Sequence, residues 1–427
     1  MKTICVVGLG YIGLPTATIL AAGGMKVTGV DVRPEIVDAI NRGEIYIDEP
    51  GLDTLLRSAV SSGSLRASLA PAPADAFIIA VPTPITADHG ADMSCVVGAA
   101  ESILPCLRPG NLVILESTSP PGTCRDLLRP ILERGGLAVG TDLFLAYCPE
   151  RVLPGKILEE LVRNDRVVGG ITAESAVKAR DLYARFVKGE IVLTSATTAE
   201  MIKIVENTFR DVNIALANEI ALQCEQLGIN FWEVARNANR HPRVNVHQAG
   251  PGVGGHCIAV DPWFLVESFP DASGMIRCAR ERNDSMPAHV IDTALTLLAD
   301  VKKPRVAVLG LAYKADVDDT RESPALKVAA GLRDKGVEIL CYDPHVRKAP
   351  VPLAPPKECL AGADLALLLT DHTEFRQLDP ARVAEHMRHR RVYDTRNMLD
   401  HRAWATAGFE VTLLGAGRSA SRRERRS

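Results

Sequence analysis

Thr3-Ile4-Cys5-Val6-Val7, running straight into Gly8-Leu9-Gly10-Tyr11-Ile12-Gly13, restricts what this chain can become more than any other stretch. The five apolar residues predict a buried strand, and the run from Gly13 to about Ala22 predicts a helix. A second strand, Lys26-Val27-Thr28-Gly29-Val30, ends on Asp31, 18 residues past the last glycine. Strand, glycine turn, helix, strand and acid in that order make a βαβ unit with a dinucleotide fingerprint. The glycines let a pyrophosphate reach backbone N–H groups at a helix N-terminus, where the dipole favours an anion. Asp31 then accepts hydrogen bonds from ribose hydroxyls and repels a 2′-phosphate. The pattern predicts NAD over NADP, a choice that Arg33 softens. Gly8, Gly10, Tyr11, Ile12, Gly13, Asp31 and Arg33 are therefore candidate cofactor residues. The competing reading, a glycine turn in a ligand-free α/β domain, is weakened by this context.

Further strand patterns follow. Ala76–Val81 runs into Pro82-Thr83-Pro84, Asn111–Glu116 into Ser117-Thr118-Ser119, and Leu143–Cys148 into Pro149-Glu150-Arg151. Ligands of open α/β sheets bind beyond the carboxyl ends of the strands. Thr83 and Thr118 are thus cofactor candidates and Glu150 a candidate for chemistry, although either threonine equally suits a plain turn.

Thr197 to about Gln226 contains no Pro or Gly and reads as one long helix. Met201, Ile204, Val205, Phe209, Val212, Leu216 and Ile220 cover most of its circumference, which predicts a helix buried between domains. Lys203, Asn207 and Arg210 fall on one face of it. A buried ammonium is costly without a partner, so Lys203 belongs either to an ion pair or to chemistry.

After Lys302-Lys303-Pro304 the α/β pattern restarts with Arg305–Leu309, Gly310-Leu311-Ala312-Tyr313-Lys314, a helix from about Pro324 to Asp334, and strands at Val337–Asp343 and Ala363–Leu369. The second and third fingerprint glycines are missing there. Lys314 and the run Asp318-Asp319-Thr320-Arg321-Glu322-Ser323 stand instead around a helix start. That arrangement suits a phosphate-bearing ligand other than a dinucleotide, or a surface charge cluster.

Gly250-Pro251-Gly252-Val253-Gly254-Gly255 precedes a single thiol, Cys257, and a carboxylate, Asp261, follows four residues later. Glycines allow close backbone approach, so the stretch suggests a thiol presented to a substrate. A tight turn around a buried structural cysteine has the same outline.

Composition narrows the remainder. A net charge of −3 over 427 residues gives no basic field, so nucleic acid is not an implied partner. The basic run from Arg418 to Arg426 reads as a solvated, disordered end. Ten scattered cysteines without paired metal spacing favour reduced thiols in a cytoplasmic setting, with no metal site. Lys2 and the apolar run behind it resemble a signal peptide, but the glycine fingerprint assigns them to the first domain. No uninterrupted apolar segment of ~20 residues occurs elsewhere, so no membrane span is expected.

With these pieces placed, the chain resembles the UDP-glucose/GDP-mannose dehydrogenase family of nucleotide-sugar 6-dehydrogenases over about residues 1–415. The motifs that carry the likeness are Gly8–Gly13, Pro149-Glu150-Arg151-Val152-Leu153-Pro154-Gly155, Glu200-Met201-Ile202-Lys203 through Asn207, Gly254-Gly255-His256-Cys257 with Asp261, and Asp319–Ser323. The resemblance implies an α/β fold of two Rossmann-like, doubly wound domains joined by a long central helix and a helical middle domain. Residues 1–195 would bind NAD, 196–300 would dimerise, 301–415 would bind the UDP-sugar, and 416–427 would form the tail.

By the same resemblance Cys257 is the nucleophile, Lys203 and Asn207 handle the oxyanion and the proton, Asp261 activates water and Glu150 is the base of hydrolysis. Lys314 and Arg321 contact phosphate. Arg151, Val152, Leu153, Arg210, His241 and Gly254 join Lys203 and Asn207 around the substrate. Arg243 reaches the sugar of a neighbouring subunit, which makes the protein a homodimer. His256, Ile258-Ala259-Val260 and Arg151–Pro154 look most like the branch acting on UDP-N-acetyl-D-mannosamine, with the UDP-N-acetylglucosamine branch its nearest competitor and UDP-glucose further off. A hydroxy-acid dehydrogenase with a buried Cys257, and a non-catalytic NAD-binding regulatory protein, are the alternatives from other classes. Both leave the co-occurrence of Lys203, Glu150 and Cys257 without a purpose.

Overall fold

The computed structural model describes residues 1–47, 49–86, 89–153 and 155–417. Pro154 and the basic run from Arg418 lie outside the described residues. The chain divides into two compact units, Met1–Glu206 with Trp263–Pro270, and Asn207–Pro262 with the chain from Asp271 on.

The first unit holds an eight-stranded sheet made of β1 (Thr3–Val7), β2 (Lys26–Val30), β3 (Leu65–Ser68), β4 (Ala76–Ile79), β5 (Leu112–Leu115), β6 (Phe144–Tyr147), β7 (Arg166–Gly170) and β8 (Ile191–Ser195). Their order is β3-β2-β1-β4-β5-β6-β7-β8, parallel throughout except where β7 runs against β6. The first six strands are doubly wound about the switch between β1 and β4, the position at which such sheets bind dinucleotides. β4, β5 and β6 are buried along their whole length, because helices cover both faces of the sheet.

The second unit carries β9 (Arg305–Leu309), β10 (Glu338–Tyr342), β11 (Leu365–Leu368), β12 (Arg391–Asp394) and β13 (Glu410–Leu413). They form an all-parallel sheet in the order β10-β9-β11-β12-β13, which is again doubly wound. The two α/β sheets expected from the sequence are both present; β1, β2 and β9 keep the expected bounds, and β4, β5, β6, β10 and β11 are trimmed by a residue or two at an end where the pattern runs into a turn.

The long helix spans Ala196–Leu227, or 32 residues and about 48 Å. Ala196, Ala199 and Ile202 pack on the first sheet's core, and Ala217, Ala221 and Cys224 on the second unit's core. Its expected burial is only partly met. Ile204 is buried and Val212 and Ile220 are half-buried, but Met201, Val205, Phe209 and Leu216 are 37, 45, 62 and 52% exposed. The small residues face the cores, since they allow close approach, and the large apolar ones form a stripe that this chain leaves uncovered.

Candidate active site

Three glycines of the first turn have two different jobs. Gly8 has φ 93°, and a Cβ there would lie 2.5 Å from the Ala80 carbonyl oxygen. At Gly13 a Cβ would lie 1.8 Å from the Gly8 oxygen. The fold itself demands these two. A Cβ on Gly10 would meet no protein atom within 4 Å, so its missing side chain leaves room for close approach from outside the protein. Tyr11 is exposed and Ile12 half-buried beside it.

At the end of β2, Asp31 accepts hydrogen bonds from the Arg33 side-chain Nε at 3.0 Å, the Arg33 N–H at 3.1 Å and the Leu9 N–H at 3.3 Å. Burial opposes its charge, yet the Arg33 and Leu9 bonds outweigh burial and hold it below the usual carboxylate range. Arg33 is thereby clamped to the acid and lies over the Tyr46 ring. The residues fit an adenosine ribose on Asp31 and a pyrophosphate over Gly10.

The candidate threonines stand at the strand ends, Thr83 buried and Thr118 half-buried. Ser117, which no motif singles out, joins those ends. Its Oγ accepts the Val81 N–H at 3.0 Å and donates to the Val81 carbonyl at 2.7 Å. Glu200, fully buried on the long helix, takes the Gly122 and Cys124 N–H groups at 2.6 and 2.8 Å and so anchors the loop after β5.

One turn further along that helix, the half-buried Lys203 donates to the Glu150 carbonyl at 2.7 Å. The Glu150 side chain points inward. Its Oε2 receives the Arg166 Nη2 at 2.9 Å, and its Oε1 the Arg151 N–H at 2.7 Å. Arg166, on β7, is 4% exposed and lies over the rings of Tyr183 and Phe186. A second carboxyl, Glu116, is completely buried at the end of β5 and accepts the Tyr183 hydroxyl at 2.6 Å. Burial raises it to about 7, against the pull of Arg166. Arg151 is ion-paired with Glu206 at 2.8 Å, while Val152 is half-buried and Leu153 exposed.

In the second unit the Cys257 thiol is exposed. Its carbonyl accepts the N–H groups of Val260 and Asp261, the turn that leads into the helix Asp261–Ser268. Asp261 is buried and receives the Asn207 Nδ2 at 2.6 Å. The glycines before the thiol have a reason the sequence did not reveal. A Cβ on Gly254 would lie 2.7 Å from the Glu322 oxygen, and one on Gly255 would lie 2.7 Å from the Tyr313 ring. They let the Tyr313 and Glu322–Pro324 segments of the second α/β domain close against the thiol loop.

Gly255 also donates its N–H to the Arg321 carbonyl, and the Arg321 guanidinium is paired with Asp319 at 2.6 Å. His256 is held below its usual value by burial first and by Arg321 second. Tyr313 is pushed up by burial, then by Asp319 and Cys257. Arg210 and Lys314 are exposed, as are His241 and Arg243 in the loop after the helix Phe231–Ala238.

A buried polar chain holds this loop from behind. Arg280 donates to Asp211 at 2.5 Å, Asn283 to Asp211 at 2.8 Å, Asn218 to Asn283 at 2.9 Å, and the Gly250 N–H to Asn218 at 2.9 Å. None of these partners was legible in sequence, because their contacts join residues some 30 to 70 positions apart. The same holds for Asp316, His345, His372 and Glu374, whose ligand-type atoms lie within 4.8 Å of one another. Both nitrogens of His372 are engaged there, Nδ1 by the Asp316 N–H and Nε2 by Asp343, so the group acts as a clasp. Among the described residues no helix is long and apolar enough to cross a membrane.

Comparison with known proteins gives the family. Residues 2–187 match the NAD binding domain of the UDP-glucose/GDP-mannose dehydrogenase family, residues 197–285 its central domain and residues 307–401 its UDP binding domain. The UDP-N-acetyl-D-mannosamine dehydrogenase of Methanococcus maripaludis is 46% identical, with 98% of each chain covered. The NDP-N-acetyl-D-galactosaminuronic acid dehydrogenase of Ralstonia solanacearum is 48% identical over 93% of this chain and 96% of its own. Among solved structures, the UDP-N-acetyl-mannosamine dehydrogenase of S. aureus matches with a TM-score of 0.90 and 44% identity, covering 97% of this chain and 99% of that one.

Proposed function

The chain belongs to the UDP-glucose/GDP-mannose dehydrogenase family and is an NAD-dependent nucleotide-sugar dehydrogenase; from that premise we propose that it oxidises the C6 alcohol of UDP-N-acetyl-D-mannosamine to the carboxylate through a sulfur adduct on Cys257. The observation that carries this reading is the exposed Cys257 thiol one turn ahead of Asp261, a buried carboxylate held by Asn207.

NAD supplies the hydride acceptor, one molecule for each two-electron step. The chain's own groups do the rest. An aldehyde has no second hydride to release until a nucleophile adds to it, and the Cys257 thiolate is that nucleophile. The thiohemiacetal becomes a thioester, whose C–S bond water then breaks, returning the thiol. Lys203 and Asn207 serve the developing oxyanion and the proton transfers, while Asp261 and Glu150 take protons from the attacking water. In total one alcohol, one water and two NAD+ give one carboxylate, two NADH and three protons.

In this reading residues 1–195 hold NAD, residues 196–300 form the dimer, and residues 301–415, with Lys314 and Arg321, hold the UDP-sugar. Arg151, Val152, Leu153, Arg210, His241 and Gly254 complete the sugar site, with Arg243 serving the neighbouring subunit. The stripe Met201, Val205, Phe209 and Leu216 supports a second copy as its cover. Ten free thiols fit a cytoplasmic protein.

The test is NADH yield and product acid with a panel of UDP-N-acetyl-D-mannosamine, UDP-N-acetylglucosamine, UDP-N-acetylgalactosamine and UDP-glucose. Two NADH per acid, highest turnover on the first sugar, and no acid from Cys257→Ala are expected. One NADH with free aldehyde, or unchanged acid formation by Cys257→Ala, removes the sulfur route. Preference for another sugar removes the substrate assignment alone.

A further inference from the structure

We propose that Arg166 is the positioning residue of Glu150: its guanidinium holds the carboxylate in place as the proton acceptor of thioester hydrolysis, and the nearby buried Glu116 competes for the same cation. The inference rests on the assignment of Glu150 as a base and extends it to two residues with no role so far.

The geometry leaves Arg166 little other purpose. A guanidinium at the start of β7, 4% exposed, is expensive to bury and persists only where its donors are engaged. Nη2 reaches Glu150 at 2.9 Å, and Nη1 lies 3.6 Å from the Cys148 sulfur. The Tyr183 ring 4.8 Å away and the Phe186 ring 5.7 Å away fix its plane. Glu150 is therefore held at three atoms, by Arg166 at Oε2, by the Arg151 N–H at Oε1, and by Lys203 at its carbonyl.

Glu116 is the unusual neighbour. One of its oxygens accepts the Tyr183 hydroxyl, and the other, Oε2, is buried without a hydrogen-bond partner. One cation thus faces two carboxyls. Burial disfavours ionisation of Glu116, the charge of Arg166 favours it, and the neighbouring Glu150 opposes it. The titratable and charged groups facing this pair are Glu116 from β5, Cys148 beyond β6, Tyr183 from the helix Ala173–Tyr183, Lys203 from the long helix, and Arg151 beside Glu150 itself.

The experiment compares Glu150→Gln, Arg166→Lys and Arg166→Met in the full-length enzyme with NAD and UDP-N-acetyl-D-mannosamine. It follows the first-turnover NADH burst, steady-state turnover, and the mass of the covalent adduct on the protein. Loss of a general base costs about 10²–10⁴-fold. Both Glu150→Gln and Arg166→Met should keep the burst, drop at least about 100-fold in steady state, and accumulate the adduct. Arg166→Lys, which keeps the charge but not the fork, should recover part of the loss.

Normal steady-state turnover in Arg166→Met, with the adduct accumulating in Glu150→Gln, overturns the positioning role while leaving the base intact. No adduct in Glu150→Gln, with normal turnover, removes the base and the proposal with it. Because Arg166→Met strands buried carboxyls and so burdens folding, Glu116→Gln provides an independent arm. It leaves the cation to Glu150 alone at every pH. Wild-type turnover should change as Glu116 ionises at about pH 7, and Glu116→Gln should lack that change while matching the wild type at lower pH. A change near pH 7 that persists in Glu116→Gln overturns the competition.

Discussion

The two nucleotide-type turns begin alike and end differently. Gly8 and Gly310 take nearly the same positive φ, 93° and 91°, and each donates its N–H to the last residue of the neighbouring strand, Val30 at 2.7 Å and Tyr342 at 2.8 Å. Each turn is followed by an acid after its second strand, Asp31 or Asp343, that accepts the N–H of the residue after the glycine. Each acid also takes the N–H two residues on, that of Arg33 or His345, and there the likeness stops. Asp343 takes the Ala312 and Val346 N–H groups and the His372 Nε2 besides. Ala312 and Ala315 stand where the first turn has Gly10 and Gly13. The first turn is left open above Gly10, whereas the second is plugged by its own carboxylate. One strand–turn–strand plan thus serves two ligands once the acid changes partners.

The harshest way to break this contrast is to remove the two acids in parallel. Asp343→Ala strands several buried donors and should cost about 3–5 kcal/mol in urea unfolding. Asp31→Ala loses a pair with the half-exposed Arg33 and should cost about 1 kcal/mol or less without NAD, while NAD affinity falls at least about tenfold. Equal destabilisation by the two would show that both acids are plugs.

A second contrast is in the sign of pH dependence. Glu116 in the first unit is raised from 4.5 to about 7, chiefly by burial. Between those values the native state holds a proton that the unfolded chain has lost, so stability falls as pH rises, by about 3 kcal/mol in all. Asp364 in the second unit is lowered from 3.8 to about 2, because hydrogen bonds from Arg388, the Arg305 N–H and His389 outweigh its burial. Its contribution, about 2 kcal/mol, is present above pH 4 and is lost as pH falls through about 2. Glu116→Gln should therefore stabilise the protein at pH 8 and do little at pH 4. Asp364→Asn should destabilise it at pH 6, with the difference vanishing near pH 2. Equal effects of Glu116→Gln at pH 4 and pH 8 would mean that its carboxyl is not held neutral.

The mildest pair sharpens the comparison at a single atom. Gly10→Ala adds a methyl that meets no protein atom, so unfolding without NAD should be unchanged while NAD binding weakens about tenfold, or about 1.4 kcal/mol. Ala312→Gly should lose up to about 1 kcal/mol of stability and leave NAD affinity as it was. Isothermal titration and urea curves on both variants decide it.

The first turn was readable from sequence because its parts are local: a strand, three glycines and an acid at fixed spacing. The likeness of Arg305–Leu309 and Gly310 to that turn was readable for the same reason. The plug was not, since His372 reaches Asp343 from another strand and no spacing rule connects them. The long helix was legible in extent but not in burial, because an all-round apolar pattern does not say which face the same chain will cover. The glycines before Cys257 read as close-approach positions, but the sequence suggests a substrate as what approaches them, and the structure places protein segments against Gly254 and Gly255. The partners that approach them, Tyr313 and Glu322, lie more than 50 residues away, beyond the reach of any motif. Arg166 escaped notice because an arginine inside a strand pattern reads as an edge or surface residue until its carboxylates are found.

Glu200 and Lys203 grip the loop after β5 and the turn after β6 from positions one helical turn apart. The offset between those two gripping points is therefore gauged by the rise of a rigid rod, about 4.5 Å over three residues, and not by the loops' own sequences. Slipping one residue into that interval would swing the amine by about 100° and pull both loops out of step together.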